Sequence, residues 1–114
     1  MKYLGIDYGE KHIGLAICDN NLKIATPFGI VHNVGAGHVL PKIKKIIQEQ
    51  KIDKIIIGLP KGFRGETEQT KKTREFAKNF DNFEFIDERF TSKISQNHAG
   101  AAAIILQSYL DMLK

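Results

Sequence analysis

The chain reads as an α/β protein with three antiparallel strands followed by two parallel ones, and three stretches predict this. Residues 2–19 (KYLGIDYGEKHIGLAICD) alternate polar and apolar through two arms broken at Gly9 to Lys11, the pattern of a β-hairpin. Asp53 to Pro60 (DKIIIGLP) is short, continuously apolar and β-branched, as expected of a parallel strand buried on both faces. Between them lies an amphipathic helical stretch, so a βαβ crossover is implied.

In chain order, Tyr3, Leu4, Ile6 and Tyr8 suit the first strand, and Ile13, Leu15 and Ile17 the second. Asn20-Asn21 makes a turn. Lys23 to Val31 forms a third strand at an edge, because Pro27 has no amide proton to give a central ladder. His32 to Gly37 is polar and glycine-rich, hence a loop, and His32 and His38 read as solvated residues without partners at metal-site spacing. From His38 to Gln50, Val39, Ile43, Ile46 and Ile47 form one helix face, Pro41 falls in the first turn, and Lys42, Lys44, Lys45 and Glu49 face water.

After the fourth strand, Lys61 to Glu66 (KGFRGE) is an exposed loop with two cations and an aromatic ring. Thr67 caps a second helix whose Thr73, Phe76, Ala77 and Phe80 form its stripe. Phe83 to Asp87 is the fifth strand, with Phe83 and Phe85 toward the core and Glu84 toward solvent. A final helix, Ala99 to Leu113, presents Ala99, Ala102, Ala103, Leu106, Tyr109, Leu110 and Leu113, and its small residues allow close approach to the sheet.

At 114 residues the chain is expected to form one domain, residues 1–114, large enough for a core but without room for a second lobe. Seventeen Lys and Arg stand against 13 Asp and Glu, a net charge of +4 that suits a polyanionic partner. Cys18 is the single cysteine, a core thiol in the second strand, so no internal disulfide can form. No apolar run reaches membrane-spanning length and no signal-peptide pattern opens the chain, so a cytoplasmic protein with no membrane partner is expected. Monomer and weak dimer are not distinguished.

Chemistry points first to Asp7. A carboxylate within an apolar strand is costly to bury alone, so it lies where the strand opens to solvent, holds a cation, or caps a turn beside Gly9. Gly5, Gly9 and Gly14 let a ligand's backbone or phosphates come close on that side. A metal-binding acid of a nuclease and the phosphate-wrapping turn of two-lobed sugar kinases and Hsp70-like ATPases both fit. Length argues against the second. A further acidic group, Asp87-Glu88-Arg89-Phe90-Thr91, follows the fifth strand, at the strand ends where open α/β sheets gather ligands. A surface ion pair of Glu88 with Arg89 is the plain alternative.

With GIDYGEKHIGLAICD at 5–19, ATP at 25–27, IIIGLPKGFRGETEQ at 55–69, FIDERFTS at 85–92 and AAAIILQSYLD at 101–111, the chain resembles the YqgF family, also called RuvX. Its members are known as Holliday junction resolvases or pre-16S rRNA nucleases with a ribonuclease H-like fold. The resemblance implies helices on both faces of a five-stranded mixed sheet. It also implies a nuclease using Mg²⁺ or Mn²⁺ held by clustered carboxylates, acting on an rRNA precursor or branched DNA. Asp7 and Glu88 map onto two of the family's three metal-binding acids. Lys61, Arg64, Arg89 and Thr91 are the expected substrate contacts.

The third acid falls on His98, and no acid lies between Arg89 and Asp111. His98 is a weaker third catalytic candidate, as metal ligand or base, or else an inert helix cap. Only Ser92 to Asn97 separate Thr91 from the final helix, where the family carries a longer, often basic segment. Either the chain is shortened there or a disordered loop is missing from the numbering; the second is the expectation taken. Loss of the third acid leaves open a catalytically impaired domain that binds nucleic acid.

Overall fold

The computed structural model describes residues 1–19, 24–60, 65–87 and 98–113, with the side chains of residues 98 and 99 outside that description. Its elements run β1 (Lys2–Asp7), β2 (His12–Asp19), β3 (Thr26–His32), α1 (Ala36–Glu49), β4 (Lys54–Leu59), α2 (Glu68–Ala77), β5 (Phe83–Asp87) and α3 (His98–Met112). They form one sheet in the order β3-β2-β1-β4-β5. β1–β2 and β2–β3 pair antiparallel, β1–β4 and β4–β5 parallel, so the sheet is mixed as expected.

Alternation divides each strand between two cores. Leu4, Ile6, Ile13, Leu15, Ile55 and Ile57 face Val39 and Ile43 of α1 and Phe76 and Ala77 of α2. Tyr3, Ala16, Cys18, Ile56 and Ile86 face Ala102, Ile105, Leu106 and Leu110 of α3. Adjacent Ile56 and Ile57 are both 0% exposed, one in each core, and burying each is worth about 1.5–3 kcal/mol. That is why β4 reads as unbroken apolar sequence. Helices therefore cover both faces, α1 and α2 on one and α3 on the other.

α3 runs antiparallel to β1. Its Tyr109 ring lies 6.0 Å from that of Tyr3. Ala102 and Leu106 press on Gly5, where an added Cβ would lie 2.8 Å from the Leu106 Cβ and 3.0 Å from the Ala102 carbonyl oxygen. The missing side chain at Gly5 thus admits a helix. The expectation that a ligand approaches there is corrected.

Boundaries shift for local reasons. Ile24 and Ala25 lie outside β3, because the Ala25 amide donates to the Gln107 side chain of α3 at 2.9 Å rather than across to β2. At its other end β3 takes in His32, paired with His12, so His32 is a strand residue and not part of the loop. α1 begins two residues early at Ala36 because Gly35, with φ 112°, turns its carbonyl to accept from the His38 and Val39 amides. Pro41 consequently lies inside the helix, beyond its first turn. In α3, Leu113 is 57% exposed, while Ile105, absent from the expected face, is buried.

Candidate active site

Asp7 ends β1, half-buried, at the edge of the sheet where the parallel strands finish. Tyr3 and Gly5 face α3, and alternation gives Asp7 the same face. Its β2 partner is Gly14. On β4 the Ile6–Ile57 pairing places Gly58 beside it one step further on. A carboxylate flanked on both neighbouring strands by glycine stands in a notch to which neither adjacent strand position adds a side chain.

α3 closes one end of that notch. From Tyr3 to Asp7 a strand advances about 13 Å, which a helix covers in about nine residues, so the antiparallel register carries α3 from Tyr109 back to Gly100 at the level of Asp7. The first turn of α3, the positive end of its dipole, therefore lies beside the carboxylate.

The turn after Asp7 is fixed from two sides. Asn33 donates its side-chain amide to the Gly9 carbonyl at 2.9 Å, and Gln69 of α2 donates to the Tyr8 carbonyl at 3.3 Å. The Tyr8 ring packs on Phe76, centroids 4.5 Å apart. Lys72 pairs with Glu10, holding that carboxyl below its ordinary range and raising its own ammonium above it. α2 also anchors the end of β4. Its Thr67 and Thr70 form a capping box, and the Thr70 hydroxyl donates to the Pro60 carbonyl.

The sequence pattern described as "RuvX: Holliday junction resolvase" matches residues 1–112. The chain belongs to the RuvX family. A Sulfurihydrogenibium protein provisionally named a pre-16S rRNA nuclease is 37% identical over 134 residues, covering 98% of this chain and 91% of its own. A Dictyoglomus turgidum protein of the same name is 35% identical, covering 99% and 96%. Among solved structures, Thermus thermophilus RuvC in complex with a Holliday junction substrate superposes with a TM-score of 0.65 over 99% of this chain and 95% of its own. At 12% identity that likeness shows the shared ribonuclease H-like fold.

The match to the Sulfurihydrogenibium relative spans more positions than this chain has residues. Since 98% of 114 residues is about 112, about 22 of the 134 aligned positions have no counterpart in this RuvX chain. The 114 residues run without interruption, so the chain is shorter than this relative within the matched span, and the reading of a loop missing from the numbering is withdrawn.

Of the residues expected in the site, the structure places Asp7 in the notch and starts α3 at His98, whose side chain is outside the description. Glu88, Lys61, Arg64, Arg89 and Thr91 lie outside the described residues. Among the described residues no three His, Cys, Asp or Glu side chains gather as a metal cluster. Asp7 supplies one hard oxygen donor, of the kind a divalent cation such as Mg²⁺ or Mn²⁺ takes as one ligand of a larger set.

Sequence reasoning missed a histidine pair. His12 and His32 face each other across β2 and β3 with ring centroids 5.1 Å apart, edge to face. The signal was present in the hairpin: His12 has the same alternation as Gly14, the partner of Asp7.

Proposed function

We propose that this chain is a divalent-metal-dependent endonuclease of structured nucleic acid, acting in the cytoplasm on the 5′ end of precursor 16S rRNA, with a four-way DNA junction as the other candidate substrate. The observation that carries the proposal is Asp7 in its glycine-flanked notch at the strand ends, in a chain of a nuclease family. Names of the relatives favour the RNA substrate.

Asp7 and Glu88 are the proposed ligands of Mg²⁺ or Mn²⁺, and His98 a third group at the start of α3. Such cations, when bound, supply an activated water and offset the charge on the scissile phosphate. Lys61, Arg64 and Arg89 contribute positive charge toward the phosphodiester backbone, and the Thr91 hydroxyl a hydrogen bond. The fixed turn at Tyr8 and Gly9 keeps Asp7 aimed into the notch, and the first turn of α3 favours an anion there.

The test is cleavage of labelled precursor rRNA and a labelled four-way junction in Mg²⁺ or Mn²⁺, with manganese binding measured by calorimetry. Wild type should cleave one of them, and Asp7→Asn should lose both cleavage and metal binding while unfolding at an unchanged temperature. Equal cleavage by the two proteins overturns the assignment. A second reading, binding without hydrolysis, is favoured by one observation: the first turn of α3 carries no acidic residue. Wild type that binds either substrate and cleaves neither in Mn²⁺ supports it.

A further inference from the structure

We propose that His12 and His32 form a phosphate-contacting subsite that seats the nucleic-acid backbone beside Asp7; the proposal rests on the nuclease reading above and adds to it two substrate-positioning residues. Register puts them there. Asp7 pairs with Gly14, and Gly14 pairs with Ile30, so these three positions form one row across β1, β2 and β3. His12 and His32 form the next row of the same face, one pleat repeat of about 7 Å further out along the sheet. A His12 side chain is then a diagonal neighbour of Asp7, with about 7–8 Å between them.

That face is open. α3 has reached its first turn at the level of Asp7, and Ile30, in the Asp7 row, remains 43% exposed. His32 is exposed and His12 half-buried. An imidazole carries an N–H donor in either protonation state, which a phosphate oxygen can accept. The edge-to-face contact at 5.1 Å holds the two rings as one unit and limits the rotamer freedom lost when a ligand binds. Two donors on a rigid sheet, one of them diagonal to a carboxylate on the next strand, suit an extended polyanion that crosses the strand ends and passes Asp7. A compact anion needs no such row.

The experiment is fluorescence-anisotropy binding of the full chain to a fluorescein-labelled RNA precursor and a labelled four-way junction in EDTA, at several salt concentrations. Urea unfolding is measured alongside. His12→Ala and His32→Ala should each weaken binding roughly three- to tenfold, the worth of one hydrogen bond. His12→Arg and His32→Arg lose the imidazole pair but keep donors and add charge, so they should bind at least as well as wild type, with a salt slope steeper by about one unit. Affinities unchanged in both alanine variants, or lost equally in the alanine and arginine variants, overturn the subsite. If wild type binds and cleaves while the histidine variants match it, the subsite alone fails. If wild type neither binds nor cleaves either substrate, the nuclease reading fails and takes the subsite with it.

Discussion

At Gly5 two effects of a methyl group oppose each other. Alanine in a strand gains about 0.5–1 kcal/mol over glycine through the entropy of the unfolded chain. Against this, the new Cβ would stand 2.8 Å from the Leu106 Cβ and 3.0 Å from the Ala102 carbonyl, and overpacking of this kind costs about 1–3 kcal/mol. The packing term wins, because one of the crowding atoms is helix backbone. Gly5→Ala should therefore lower the urea midpoint with an unchanged m-value; a variant as stable as wild type would show that α3 yields at no cost. Gly5 also marks where sequence reasoning stops. A bare position in a strand is visible in the sequence, but what fills the space depends on a helix nearly 100 residues later. The same limit hid His32, whose composition reads as loop and whose place in β3 comes from its pairing with His12.

Elements were legible where one periodicity dominated. β4, the α1 stripe and the Thr67 cap emerge from the residues alone, because each answers to local patterning. β5 was only half legible: Phe83 and Phe85 pack toward α1 and α2, but Ile86 is also buried, against α3. Glu84, on the face of Ile86, reaches solvent and joins a cluster with Lys54 at 3.3 Å and Tyr109. The Tyr109 hydroxyl and then Lys54 hold the Glu84 carboxyl below its ordinary 4.5. Hydrogen bonds to Tyr109 and Glu84 raise Lys54, and burial raises the Tyr109 phenol. A lowered carboxyl stabilises the fold above its unfolded value, and that part is lost as pH falls through the folded one. Lys54 and Tyr109, both raised, lose theirs as pH climbs past 10. Glu84→Gln should thus cost under about 1 kcal/mol at neutral pH, as for a surface pair, with the gap to wild type closing well below pH 4.5. Urea titrations across acid pH measure it, and a gap that persists in acid contradicts the ion-pair origin.

Across the whole molecule, the two-faced sheet bears on which acid after β5 serves the site. Tyr3, Gly5 and Asp7 of β1 face α3, as does Ile86 of β5, whereas Phe83 and Phe85 face the other core. Alternation puts Asp87 on the side of Phe85; Glu88 lies outside the described residues, and the pattern of the sequence, were it to continue one residue on, would put it on the side of Asp7. β4 stands between, so β1 and β5 are about 10 Å apart, and Gly58 leaves that gap without a side chain. Two metal ions about 3.5–4 Å apart, each with oxygen ligands at about 2 Å, span about 8 Å. An aspartate from β1 and the longer side chain of a glutamate on the same face would meet that span; an acid on the opposite face would not. Glu88→Gln should then abolish metal-dependent cleavage with the fold intact, since an amide cannot offset the cations' charge, while Asp87→Asn should act mainly on stability. Equal residual activity in the two variants, or a metal-loaded crystal structure with the Asp7 and Glu88 carboxylates more than about 8 Å apart, would remove Glu88 from the site.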